Sequence, residues 1–287
     1  MKMSYNIRKN WIASFELVLT KPVVLLPFII IAFIEGLALE LIYFSTRKPL
    51  SIIAVPIIRK FFGTNFMHYP GNLYILPDLF YYAGIVIYVF ISIFLIAISI
   101  NIFKNIRMNL PIKTSALIKN ASRQYPSFVI FGIIMVTCLV LLRKIDIFIF
   151  SKFTQFGLRN FPSIGTEFYF IGLLLFLFLS NCILQTFLVL TVPVIVIQKK
   201  SFLKALGRSL YLGLRNFKYV FTLIFLPFLV YFPISLLKVA STKLASKTFP
   251  EIILYITATG IIIGALIDCF IAVCASQFLL DKEVAKK

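Results

Sequence analysis

The sequence predicts an all-α polytopic integral membrane protein of about six transmembrane helices, and three observations carry that prediction. Of its 287 residues 61% are hydrophobic, and mean hydropathy is +1.00; a soluble domain holds ~45–50% apolar residues. The apolar residues gather in six runs, about 23–44, 79–103, 127–142, 167–197, 217–238 and 252–280. Crossing ~30 Å of hydrocarbon takes ~20 residues. Basic amphipathic stretches precede the first, third and fifth runs. In lipid every backbone N–H and C=O needs a partner within the chain, which a helix supplies locally. The chain reads as one transmembrane domain, 1–287.

Taken in order, residues 4–20 place Ile7, Trp11, Phe15 and Val18 at helical spacing, and Trp11 suits the headgroup level. Lys21-Pro22 opens the first span, with the proline in the first turn where a helix tolerates it. Residues 45–78 form a polar connection with a short apolar run, Ile52–Ile58, too brief to cross. Phe80, Tyr81 and Tyr82 mark the start of the second span as an aromatic belt. The basic stretch 105–126 leads into a short third span, which snorkelling of Arg143 and Lys144 extends. Residues 145–161, with Ile145, Ile149, Phe153 and Phe156 on one face, predict an interfacial helix on the far side. The fourth span is long, and Pro193 is expected to kink its last turns.

The next stretch, Lys199–Lys238, is the clearest unit of the chain. At ~100° per residue, Lys200, Lys204, Arg208 and Arg215 fall on one stripe of a helix. Phe202, Leu203, Leu206, Leu210, Leu214 and Phe217 fall opposite. Such a helix lies in the membrane interface, apolar face down, with its cations at lipid phosphates. An apolar run long enough to span follows at once. The same pairing near residues 4, 105 and 200 predicts three units of interfacial helix plus two-span hairpin, alike in element type rather than in residues.

Lys and Arg number 29 and Asp and Glu 10, a net charge of +19. The cations sit between apolar runs, so anionic membrane lipids, not nucleic acid, are the expected partner. Eighteen of them lie on the side of the termini and eleven on the other, which predicts cytoplasmic termini. No cleaved signal peptide is indicated. Cys138, Cys182, Cys269 and Cys274 lie in apolar runs without a CxxC pair and behave as small hydrophobes.

Val192-Pro193-Val194-Ile195-Val196-Ile197, then Ser201, Ala205-Leu206, Ser209 and Asn216 before a new span, resembles a known pattern. It is similar to the superfamily that includes the glycerophosphoryl diester phosphodiesterase membrane domain and related six-span bacterial membrane proteins. The resemblance covers residues 192–216 closely and the six-span plan loosely. Where that family often carries an acid after the Val-Pro stretch, this chain has Gln198 and Lys199. The resemblance implies a bacterial cytoplasmic (inner) membrane and no hydrolase activity, since the soluble phosphodiesterase domain is missing.

Residues able to carry chemistry are few. Glu35 and Glu40 lie in the first run and Asp268 in the sixth, and ionisable groups at membrane depth point to function by default. Span midpoints put Glu35, Asn181 and Asp268 at similar depth, with Gln185 one turn from Asn181. Such a cluster can bind a cation or relay a proton; equally it can serve as interhelical hydrogen-bonding groups. No Lys or Arg within a span offers a charge partner. Gly260, Gly264, Asp268, Ala272 and Ser276 recur at i, i+4 and predict a close helix contact, with Asp268 inside the bundle. Its expected partners are Asn181, Gln185 or Glu35. His68 is the only histidine, so a zinc site or a histidine-based triad is not expected. No cofactor is called for.

Two functions from different classes follow. The first is a non-catalytic six-span module with a structural, lipid-associated or partner-binding role, the partner being another protein or a second copy. The second is a transporter or permease component that uses the polar cluster at the midplane. Transport calls for interrupted helices, and glycine is only 12 of 287 residues, against a ~7% average. A membrane-embedded lipid enzyme ranks third for want of candidate residues. Spans packed shut favour the first reading; a cavity lined by Glu35 and Asp268 favours the second.

Overall fold

The computed structural model describes residues 7–160 and 166–284, with side chains except at 65, 66, 153–160, 166–170 and 284. Every regular element among them is helical. Among the described residues six helices are long and apolar enough to cross a membrane: Leu26–Thr46, Leu76–Arg107, Tyr125–Lys152, Ile171–Gln198, Phe217–Ala245 and Ile252–Glu283. Side chains facing lipid recur along them, as at Ile29, Phe33, Leu37 and Leu41 of the first span, all exposed. The chain is an all-α polytopic membrane protein.

Short helices precede the first, third and fifth spans: Ile7–Thr20, Thr114–Ser122 and Phe202–Arg215. The first lies against the sixth span, with Trp11 edge-on to Phe270 at 5.4 Å between ring centroids. Its buried Asn10 amide donates to the Tyr219 hydroxyl of the fifth span. Tyr219 in turn stacks on Phe278 at 4.8 Å. These contacts tie both ends of the chain to one end of the bundle, called here the near end. Phe28, Phe103, Phe128, Ile195, Leu212 and Phe278 are fully buried there. A smaller cluster of Leu39, Leu73, Leu76, Ala245, Ile253 and Ile261 closes the far end. Since lipid is as apolar as these side chains, dispersion and hydrogen bonds hold the spans together.

Four features depart from the expected plan. The third span does not stop at residue 142: Tyr125–Asn160 is one helix, so no separate interfacial helix starts at Ile145. No glycine or proline falls between Gly132 and Phe156 to break it, and Arg143 and Lys144 simply reach outward, both exposed. Phe161 and the side chains of Phe153 and Phe156 lie outside the described residues. The second span carries a π-helical turn at Tyr88–Ser92. Its Phe90 carbonyl accepts from the Tyr125 hydroxyl at 3.1 Å.

The fourth span is interrupted rather than kinked. Helix Thr166–Leu188 ends, and Thr191–Gln198 starts anew. Pro193 has no N–H for the Val189 carbonyl four residues back, and its ring crowds that position, so the ladder breaks there. The new helix ends at Lys199, whose φ of 51° is left-handed. Its last carbonyls are met from elsewhere in the chain: Lys104 Nζ of the second span donates to Ile197 O at 3.1 Å, and Gln124 Nε2, just before the third span, to Ile195 O at 3.3 Å. A cation suits that negative helix end. Finally, the fifth helix runs through Pro227 and Pro233 to Ala245, which leaves Lys238 inside the span and not at its end.

Candidate intramembrane binding cavity

Between the two packed clusters lies a cavity of about 830 Å³. Its wall is largely apolar, with Ile96, Phe131, Met135, Leu139, Leu188 and Val192 contributed by the second, third and fourth spans. Asp78, Arg143, Ser241 and Thr257 line its far-end part, and Gln185, Lys238 and Asp268 its interior. A second cavity of about 220 Å³ adjoins it, lined by Glu35, Tyr231, Gly260 and Gly264 and again by Lys238 and Asp268.

Asp268 is placed by the periodicity of its helix. Tyr255, Ile262 and Leu266 form the exposed face of the sixth span, and Asp268 points the other way at ~100° per residue. Its side chain is accessible because it faces the cavities. Among the described residues its carboxyl makes no hydrogen bond or ion pair. Glu35 sits across the first span from the exposed Phe33 and reaches the smaller cavity. Gln185 lines the larger cavity and donates to Asn181 Oδ1 at 3.4 Å. Asn181 itself is one turn away and does not line it. The structure therefore brings Glu35, Gln185 and Asp268 to the two cavities and leaves Asn181 behind them.

Lys238 corrects the expectation that no cation lies within a span. Its Nζ donates to Tyr231 Oη at 2.9 Å, and it shares the smaller cavity with Glu35 and Asp268. A Cβ at Gly260 would collide with the end of the Lys238 side chain. Gly260 thus makes room for a lysine rather than for a neighbouring backbone. Of the rest of the small-residue stripe, Ala272 and Ser276 are buried within the bundle. The atom nearest to a Cβ at Gly264 is Tyr231 Cε2 at 3.9 Å, an ordinary contact. Ala272 lines the larger cavity, and Ser276 donates to the Ala272 carbonyl within its own helix. Backbone-to-backbone approach occurs elsewhere, at Gly132 against Val89 of the π-helical turn and at Gly213 against Thr186 and Phe187.

The Phe202–Arg215 helix has three faces, not two. Ala205, Ser209, Leu212 and Gly213 are buried, and Ser209 donates to Phe187 O at 2.6 Å. Leu203 and Leu214 stand 76% and 67% exposed on a second face with Leu210 and Phe217. Lys204 and Arg215 are exposed on the third, and Arg208 is half-buried, stacked over the Tyr211 ring at 5.4 Å; Lys200, expected on the same stripe, is exposed but precedes the helix. Arg215 donates to the Tyr211 hydroxyl at 2.8 Å. The sequence placed Phe202 and Leu206 with Leu203 and Leu214; the structure turns the first two towards protein.

No family model, curated protein or solved structure matches the chain.

Proposed function

We propose that the chain is a membrane-embedded binding or carrier component for a small amphipathic molecule, acting without covalent catalysis. The cavity carries this reading. About 830 Å³ falls within the ~300–1,000 Å³ of ligand pockets, which are mostly apolar with a few convergent polar groups. A module whose spans serve only to pack has no use for it. Both interruptions of the spans support the same reading, since Tyr88 of the π-helical turn and Val189 and Pro193 at the break in the fourth span line the cavity. Broken helices at a midplane site are the mark of carriers.

The test is to fill the cavity. Gly84 lines it, and a Cβ there meets nothing within 4 Å, so Gly84→Phe projects a ring into the space at little cost to the fold. Native mass spectrometry of the protein extracted from its own membrane is expected to show a bound small molecule that the variant lacks. Identical bound masses in both proteins, or none in either, refute the reading.

The orientation proposed with it has both termini cytoplasmic, with Lys200, Lys204, Arg208 and Arg215 at anionic headgroups of a bacterial inner membrane. Each cation near such a surface contributes ~1 kcal/mol, and Leu203, Leu210 and Leu214 supply the apolar face that enters the lipid. A Lys60→Cys variant is expected to react with a membrane-impermeant maleimide from outside the cell. Reaction from the cytoplasmic side alone inverts the topology.

A further inference from the structure

We propose that the molecule held in the larger cavity is a hydrophobic organic cation, with Asp268 as its counter-charge. The inference rests on the cavity being a binding site, as argued above, and adds the charge of the ligand. Four charged side chains line the cavity: Asp78, Arg143, Lys238 and Asp268. Asp78 and Arg143 are both exposed, and water screens them. Lys238 donates to Tyr231 Oη at 2.9 Å, and Glu35, in the smaller cavity that the two share, is near enough to offset its charge. Asp268 is exposed as Asp78 and Arg143 are, but towards the two cavities that it lines, and it has no hydrogen bond and no ion pair among the described residues. A carboxyl kept at this depth without a protein partner is matched by a cation that arrives with the ligand.

The rest of the wall selects the kind of cation. Phe80, Tyr81, Tyr88 and Phe131 all line the cavity, and ring faces attract a cation through their quadrupole, best where water is excluded. The aliphatic groups of Ile96, Met135, Leu139 and Leu188 offer nothing to replace the water shell of a small inorganic ion. They do suit the apolar body of an organic one. An acid without a protein partner, four aromatic rings and an aliphatic wall describe a site for a bulky, weakly hydrated ammonium or phosphonium-like cation.

Tetraphenylphosphonium and tetraphenylborate provide the test, because they share one shape and differ in sign. Equilibrium dialysis of each against the purified full-length chain, corrected for uptake by empty detergent micelles, reads the preference directly. Saturable binding of the phosphonium is expected, with no competition from the borate. Asp268→Asn is expected to weaken phosphonium binding at least about tenfold, and Asp268→Glu to retain it. Should Asp268→Asn fail to give a monodisperse protein, the two isosteric ions on the unaltered chain still decide. Borate binding as tight as phosphonium binding, or phosphonium binding unchanged in Asp268→Asn, overturns the cationic preference and leaves the cavity as a binding site. Binding of neither ion, or binding of both that survives Gly84→Phe, overturns the preference and the site together.

Discussion

Gly213→Leu is expected to separate the Phe202–Arg215 helix from the fourth span and lower the melting temperature of the protein more than any other single glycine replacement. A Cβ at Gly213 would lie 2.8 Å from the Thr186 carbonyl oxygen and 3.3 Å from Phe187 Cα. These are backbone atoms, so no rotamer change relieves the contact. The helix itself has to move, and with it goes the hydrogen bond from Ser209 to Phe187 O at 2.6 Å. Overpacking costs ~1–3 kcal/mol, and the lost hydrogen bond adds ~1 kcal/mol. Gly207 on the same helix is the control, since a Cβ there meets nothing within 4 Å. Thermal unfolding in detergent, with trypsin cleavage at Lys199, Lys200 and Lys204 as a second readout, should set Gly213→Leu apart from Gly207→Leu. Equal melting of the two variants refutes the close contact.

That contact shows where sequence reading stops. The six spans were legible because hydrocarbon leaves a chain few options: ~20 apolar residues in a row must be a helix that satisfies its own backbone. What a side chain meets across the bundle leaves no such mark. Gly260 and Gly264 drew attention as a spaced pair, yet the first accommodates Lys238 and the second lines a cavity, while the isolated Gly132 and Gly213 make the backbone contacts. Lys238 read as the end of a span because charge usually stops one, and the helix instead continues seven residues to Ala245. The π-helical turn at Tyr88–Ser92 lies in a run of helix-compatible residues with no glycine or proline. Nothing local signals it. The break before Pro193 was half legible: proline announced a disturbance, and the geometry of its ring puts the disturbance at Val189 and Leu190 rather than in the turns that follow.

The same limit hid Asp146, which follows Arg143 and Lys144 and so read as part of an interfacial helix beyond the third span. It is 3% exposed in the third span, and Ser180 of the fourth donates to its Oδ2 at 2.5 Å. A hydrogen bond to an acidic group at this length is at the strong end of its class. Ser180→Ala is therefore expected to destabilise the protein by ~1–3 kcal/mol, because the carboxyl stays buried and loses its donor. Asp146→Asn keeps an oxygen for the same hydroxyl and should cost much less. The informative variant is the double one. Asp146→Leu with Ser180→Ala removes donor and acceptor together and leaves two apolar side chains between adjoining spans, which should restore much of the stability lost in Ser180→Ala alone. Melting temperatures of Ser180→Ala, Asp146→Leu and the double variant close a mutant cycle. Strict additivity means that the two residues do not act as a pair; the expected result is a double variant more stable than Ser180→Ala, since an unpaired acid between spans is worse than no acid at all.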